Sequence, residues 1–337
     1  MTPQSSRTPV VAVDAVGGDH APGAAVAGAL RAAQDFDASI LLVGPEELVK
    51  AELPNGSVPD GVELLHASEI VAMDEEPAAA TRAKKDSSLV RAAEAVRDGR
   101  ADAMVSAGNT GAAMTAALLR MGRVAGVARP AVAVPVPVPG GGHQMLVDAG
   151  ATVDCSPEWL AQFALMGRTY AQVRFDVAEP RVGLLSNGEE PGKGDGLRKA
   201  ATELLAGTPG FVGNVEGRQF MSADPDVIVT DGFTGNVALK TIEGVVSAVA
   251  GLVYSVMSSS DEARDASRVL EPLLTEAAKT LDPECTGGAT LLGVDGVCVI
   301  SHGSSSDRAI LNSVGVALDA VAADVPRRLG EAIADAG

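Results

Sequence analysis

Four short, polar, glycine-rich turns carry the residues of this chain best suited to hold an anion. They read Asp14-Ala-Val-Gly-Gly-Asp-His-Ala-Pro22, Ser106-Ala-Gly-Asn-Thr-Gly111, Thr230-Asp-Gly-Phe-Thr-Gly-Asn236 and Ser301-His-Gly-Ser-Ser-Ser-Asp307. Each follows an apolar, strand-like run and leads into a helical one. The start of a helix presents unpaired backbone N–H groups at its positive end. Glycine lets the main chain close on a ligand, and Ser, Thr and Asn add donors. Several such turns in one chain suggest a site for phosphate-bearing ligands. The candidate phosphate-binding residues are Gly18, Asp19, Ser106, Asn109, Thr110, Gly111, Thr234, Gly235 and Ser304. Asn and Thr at such positions also serve as helix caps, and a cap uses the same N–H groups as an anion site.

The elements that must position these turns alternate between strand and helix. Val10–Val13, Ile40–Val43, Leu64–Ile70, Ala103–Ser106, Arg181–Leu185, Asp226–Thr230 and Val297–Ser301 read as strands. Gly23–Ala33, Ser87–Asp98, Ala112–Met121, Pro157–Val173, Gly196–Leu205 and Asp307–Ala323 read as helices, with another long one from Asn236. The series predicts an α/β fold with a largely parallel sheet and helices on both faces. Ligands of such sheets sit beyond the carboxyl ends of the strands, where all four turns are expected to gather. Ala131–Pro139 alternates apolar residues with Pro, so it reads as an edge strand or extended loop, returning at Met145–Asp148 as a hairpin. Residues 241–282 read as a projecting helical hairpin: Thr241–Met257 and Asp265–Leu281 flank a polar tip, Ser258-Ser-Ser-Asp-Glu262. No linker or low-complexity tract divides the chain, so residues 1–337 read as a single unit.

Composition narrows the function. The chain has 337 residues, 44 Asp and Glu against 26 Lys and Arg, and a formal net charge of −18. That charge argues against nucleic-acid binding and against docking on anionic lipid by charge alone. One stretch runs the other way: from Arg82 to Arg100 six bases face three acids. Cys155, Cys285 and Cys298 form neither a disulfide framework nor a zinc pattern and read as reduced thiols of a cytosolic protein. The start, MTPQSSRTPV, lacks an apolar signal core and enters a strand directly. The longest apolar run, Val237–Met257, is interrupted by Lys240 and Glu243. Neither a cofactor nor a metal is called for, and no G-x-G-x-x-G follows the first strand.

DAVGGDHAP, SAGNTGAAMTA, RVGLLSNGEEPGKGD, VTDGFTGNVALKTIEG and SHGSSS, in this order and spacing, closely resemble the PlsX phosphate acyltransferases of bacterial phospholipid synthesis, over roughly residues 9 to 325. The resemblance implies a fold similar to the isocitrate and isopropylmalate dehydrogenases and to phosphotransacetylase, and a homodimer. It implies transfer of a long-chain acyl group from the thioester of acyl carrier protein to inorganic phosphate. The chain departs from the family's usual pattern at Asp195, where Asn is common, and at its Ser- and Asp-rich hairpin tip. That tip offers no apolar or basic anchor, so any peripheral membrane contact is expected to be weak and reversible.

Thioester phosphorolysis fits the residue inventory. Phosphate is already an anionic nucleophile and a thiolate is a fair leaving group. The demands are therefore to align phosphate, stabilise the oxyanion and exclude water. Lys193, in Gly188-Glu-Glu-Pro-Gly-Lys-Gly-Asp195, is the candidate cation for phosphate or oxyanion; its alternative is a solvated loop lysine. Asn236 is a candidate ligand contact. His20 is a candidate phosphate donor or acid for the leaving thiol, or else a structural partner of Asp19. His302 has the same ambiguity. Cys155 has no adjacent base to make it a nucleophile. Arg82, Lys84, Lys85 and Arg91 are the candidate docking surface for an acidic carrier protein, with Arg120, Arg123 and Arg129 as its extension. Two rivals are weaker. A metal- and NAD-dependent dehydrogenase would need paired Asp ligands, and a non-catalytic scaffold would leave the polar turns without a role.

Overall fold

The computed structural model of the chain describes residues 7–336, so the expectation for the first residues, 1–6, lies outside them. Among the described residues the strands are β1 Val10–Asp14, β2 Ser39–Gly44, β3 Val62–His66, β4 Ala103–Ser106, β5 Ala131–Pro137, β6 His143–Val147, β7 Val182–Leu185, β8 Phe211–Val215, β9 Val227–Val229, β10 Ala289–Leu292 and β11 Val297–Ile300. The helices are α1 Gly23–Asp35, α2 Glu46–Glu52, α3 Pro77–Ala83, α4 Ser88–Arg97, α5 Thr110–Arg120, α6 Pro157–Arg174, α7 Gly196–Leu205, α8 Gly232–Met257, α9 Asp261–Leu281, α10 Asp307–Ala322 and α11 Val325–Ala336.

All strands join one sheet, in the order β3-β2-β1-β4-β11-β10-β5-β6-β9-β7-β8. Runs such as Val10–Val13 and Ile40–Val43 are apolar at every position because both faces of the sheet are covered. Val11, Val13, Ile40, Leu42 and Val105 point into one core, shared with α1, α6, α7, α10 and α11. Ala12, Leu41, Val43, Met104 and Cys298 point into the other, shared with α3, α4 and α5. With aromatics at 3% of the chain, alanines such as Ala112, Ala113, Ala116 and Ala117 of α5 fill the layer between helix and sheet.

The sheet is mixed. β3, β2, β1, β4 and β11 run parallel to one another, and so do β6, β9, β7 and β8. Between these blocks, β10 is antiparallel to β11 and β5, and β5 is antiparallel to β6. Three successive reversals turn the second block against the first. This corrects the expectation that all four turns gather at one edge. The turns after β1, β4 and β11 lie on one edge of the sheet, and those after β6, β7 and β9 on the other.

The placement of residues 131–139 also needs correction, because β5 lies inside the sheet rather than at its edge. Its pairing with β10 covers only Ala131–Ala133, whereas β6 pairs along its whole length. Val132 and Val138 turn their backbone groups toward the β6 side, so by alternation Pro135 and Pro137 face the side where β10 has ended. The prolines occupy a local edge within a central strand. The expected hairpin with β6 forms, closed by Val138 N–H to the Gly142 carbonyl at 3.1 Å.

α8 and α9 are joined by Ser258–Ser260, with Ser260 capping α9 by accepting from Ala263 N at 3.1 Å. Arg264 donates to the Ser258 carbonyl at 2.7 Å. Both helices expose large apolar residues, among them Leu252, Val256, Val269 and Leu273. α8 is long and apolar enough to cross a membrane by length and composition, and its apolar window is not buried. Lys240 and Glu243, within that helix, pair with each other at 2.8 Å.

Candidate active site

The turns of the second block converge on the starts of α7 and α8. Asp231 caps α8, accepting from Thr234 N at 2.9 Å and from the Thr234 hydroxyl at 2.8 Å. Asp195 caps α7, accepting from Arg198 N at 2.9 Å. Arg198 ties the two helix starts together. Its guanidinium pairs with Asp231 and with Asp195, the latter at 3.0 Å, and donates to the hydroxyls of Thr230 at 3.1 Å and Thr234 at 3.0 Å. The Arg198 side chain is only 11% exposed. Burial pushes the Asp231 carboxyl up, but Thr234 and Arg198 outweigh it and hold it below the usual carboxylate range.

Beneath α8, Asp148 follows β6 and is fully buried. Its carboxylate accepts from the backbone N–H of Val132, Gly150 and Ala151, each at 2.9 Å, and of Thr152 at 2.6 Å. Burial pushes its pKa up against these four donors. The loop presses so closely on α8 that a Cβ at Gly235 would lie 1.9 Å from the Asp148 carbonyl oxygen. Only glycine fits there, which explains its place in Phe233-Thr-Gly-Asn236. Asn236, at the exposed rim, donates to the Ala149 carbonyl at 3.2 Å.

Lys193 stands on the loop that leads from β7 into α7. It is exposed and makes no ion pair among the described residues. The loop is shaped by Gly194, whose N–H donates to Asn187 Oδ1 at 2.8 Å. Ser186 has a buried hydroxyl without a hydrogen-bond partner among the described residues, close beside Gly194. A cleft of about 530 Å³ opens between Val153–Cys155, Asp195, Arg198, Asp231, Phe233 and Thr234. The Cys155 thiol in its wall is pushed up to about 12, by burial first and then by the charges of Asp231 and Asp148. A group held as thiol is a poor nucleophile.

The turns of the first block form a different arrangement. Asp14 is buried and accepts from the Ser106 hydroxyl at 2.8 Å, and Ser106 in turn accepts from Gly108 N at 2.9 Å. A Cβ at Gly17 would lie 2.3 Å from the Asp14 carboxylate. Asp19 N–H donates to the Gly303 carbonyl at 2.7 Å, Ser301 and Ser305 share a hydrogen bond at 2.7 Å, and Ser304 bonds His302 Nδ1 at 2.8 Å. The Asn109 amide faces three carbonyls, those of Ala72, Met73 and Glu75 at 3.0 to 3.3 Å, while its oxygen caps α5 through Ala112 N at 3.0 Å. Its donors are occupied, so the structure gives Asn109 a clamping role where ligand contact was expected. Thr110 is exposed at the start of α5, and Gly111 beside it packs on Pro77. Gly18 lies over the 303 turn.

The structure therefore brings Lys193, Thr234, Gly235 and Asn236 to one edge of the sheet. Gly18, Asp19, His20, Ser106, Asn109, Thr110, Gly111 and Ser304 fall on the other. His20 follows β1, whose carboxyl end points to the edge opposite the one that carries the Lys193 loop. Of the expected docking residues, Lys84 pairs with Glu75, and Arg91 pairs with Asp86 at 2.6 Å and Glu94 at 3.1 Å. Arg82 and Lys85 are exposed without an ion pair among the described residues. Arg198 was missed by the sequence reading. Its signal was Asp195 three residues earlier, an N-cap with an Arg at the reach of one helical turn.

Comparison with known proteins bears on the family and the fold of the chain. A family model described as fatty acid synthesis protein matches residues 10–328. A phosphate acyltransferase of Desulfitobacterium hafniense is 47% identical over 313 residues, covering 92% of this chain and 93% of that protein. Another, from Myxococcus xanthus, is 46% identical over 331 residues, covering 96% and 94%. Among solved structures, a phosphotransacetylase from Streptococcus pyogenes superposes with a TM-score of 0.62 at 16% identity, covering 94% of this chain and 95% of that one, which shows the shared α/β fold. With near-full coverage at this identity, the chain belongs to the PlsX phosphate acyltransferase family of fatty acid synthesis proteins.

Proposed function

We propose that this enzyme moves a long-chain acyl group from the thioester of acyl carrier protein to inorganic phosphate, giving acyl phosphate for phospholipid synthesis. A phosphate oxygen attacks the thioester carbonyl, the tetrahedral oxyanion collapses, and the carrier's thiolate leaves and takes a proton from solvent. The observation that carries this reading is Lys193. It is an exposed cation without a carboxylate partner among the described residues, on a chain with 44 acids and 26 Lys and Arg, and its loop is anchored to the α7 and α8 starts by Arg198. Lys193 binds phosphate or the developing oxyanion. Asn236 at the start of α8 joins the anion site, while Thr234, whose N–H and hydroxyl both donate to Asp231, and Arg198 hold the two helix starts in register.

Several finer points belong to the same proposal. Residues 1–337 act as one catalytic unit, a view supported by the single continuous sheet. The opposed blocks of that sheet favour an isocitrate and isopropylmalate dehydrogenase-like arrangement. The protein is a cytoplasmic homodimer, in which the exposed apolar faces of α8 and α9, a helical hairpin over 241–282, are packed by protein rather than lipid. Sedimentation would report the dimer, and flotation of most of the protein with anionic vesicles would favour lipid instead.

The test of the reaction is direct. Palmitoyl carrier protein is incubated with the enzyme, with and without phosphate, and free thiol is followed. Release that requires phosphate is expected. Equal release without phosphate would show a thioesterase, and no release with either would discard the proposal.

A further inference from the structure

Among the described residues most arginines of this chain pair with carboxylates, and Arg123 and Arg129 are among the few that do not. Arg91, Arg97, Arg181 and Arg218 all lie against carboxylates. Arg123 and Arg129 form no ion pair among the described residues, yet both are held in place by neutral groups. Arg123 donates to the Ala128 carbonyl. The Arg129 guanidinium lies 4.7 Å from the centre of the Trp159 ring, in cation–π contact. Their loop is fastened at both ends: Val124 N–H bonds the Gly293 carbonyl at 3.1 Å, and Gln162 of α6 bonds Ala128 N at 2.9 Å and the Gly126 carbonyl at 3.0 Å. The side chains are thus oriented without being neutralised.

Both line one cleft of about 490 Å³, together with Leu118, Pro130 and Thr152. Thr152 is a shared element. It bonds the Pro130 carbonyl at 3.1 Å through its hydroxyl, it donates N–H to Asp148, and its own carbonyl accepts from Gly232 at the start of α8 at 2.9 Å. The residues after it, Val153–Cys155, line the cleft beside Asp195 and Arg198. The two clefts therefore flank the segment 151–155.

We infer that the Arg123–Arg129 cleft binds the phosphate ester at the base of the thiol-bearing arm of the acyl donor. This rests on the proposed reaction, and it moves donor recognition away from the 82–91 stretch, where Lys84 and Arg91 are already matched by acids. A guanidinium suits a phosphate oxygen pair better than an ammonium does, because its planar fork donates two parallel hydrogen bonds. A cleft with two such groups and an apolar wall fits a phosphate joined to an organic chain.

Calorimetry on the full chain tests this without turnover. The probes are 4′-phosphopantetheine, pantetheine and inorganic phosphate. The wild type is expected to bind 4′-phosphopantetheine about tenfold or more tightly than pantetheine, the scale of a charge-assisted hydrogen bond. R123Q/R129Q should bring that ratio close to one, and R123K/R129K should keep part of it. If the double variant does not fold, as judged by thermal unfolding, R123Q alone serves, since its side chain is exposed and loses one carbonyl contact. A wild-type ratio near one overturns the inference, and so does a ratio that survives R123Q/R129Q. So does a variant that loses inorganic phosphate but keeps the ratio, which would assign the cleft to the nucleophile. Failure of phosphate-dependent thiol release would instead count against the proposed reaction and leave this ratio to be read independently.

Discussion

The turns of this chain look alike in sequence, yet the two edges of the sheet use them differently. At the first edge, Asp14, Ser106 and Gly108 bond one another, Asn109 holds three carbonyls, and Ser301 and Ser305 bond each other. The buried polar groups there are matched within the protein. At the second edge Arg198 and Asp231 match each other, which leaves Lys193 and the rim of α8 open to solvent. A glycine-rich turn before a helix is thus equally a joint and an anion site. What separates the two is whether the surrounding chain has already supplied the partners.

The comparison breaks most sharply at Lys193. Lys193→Ala should lower turnover about 10²-fold or more, the usual scale for removing a group that stabilises developing charge. The thermal midpoint should stay put, because an exposed, unpaired Lys contributes little to stability. Steady-state kinetics with thermal unfolding decide it, and a rate near wild type would remove Lys193 from the chemistry.

Arg198→Met should affect both rate and stability. It leaves Asp231 buried without its cation, a change that costs about 3 kcal/mol or more. The pH dependence gives a second readout. Asp231 is held below its ordinary range, so its stabilisation is present above the unfolded-state pKa and is lost as pH falls through the lower folded value. In the variant this acid-side loss should flatten. A wild-type profile of unfolding temperature against pH would show that the Asp231 pairing does not act as described.

Asn109→Ala sharpens the contrast from the other edge. It removes a helix cap and strips donors from three carbonyls, together about 2–4 kcal/mol. The folded fraction should keep its Michaelis constant for phosphate. A raised constant at unchanged stability would return Asn109 to the ligand.

The smallest expected effect is at Cys155. Iodoacetamide between about pH 7 and 9 should label the exposed Cys285 well before Cys155, since the Cys155 thiol is pushed up to about 12. Peptide mapping reads the order, and fast labelling of Cys155 would contradict its protonated state.

Much of the fold was legible in the chain. α7 over Gly196–Leu205 and β4 over Ala103–Ser106 were both placed at the bounds the structure has, in the alternation of apolar run, turn and helix. β8 and β10 were not seen. Phe211–Val215 contains Gly213, and Ala289–Leu292 is four residues long, so neither carries a period of its own. Of the candidate site, Lys193 and the Thr234–Asn236 turn stood out in the sequence through their flanking glycines and the family resemblance. Arg198 did not, because a lone Arg in a helix looks the same whether it meets solvent or the caps of two helices, one of them the buried Asp231.

The sequence by itself determined which segments become strands and helices, where their capped starts lie, and which family the five motifs resemble, since these depend on local spacing and on residue type. Tertiary structure alone decided which turns share an edge. That choice came from the antiparallel passage through β10 and β5, an arrangement set by pairing between strands more than 150 residues apart, such as Thr290 with Ala133, which no local pattern encodes.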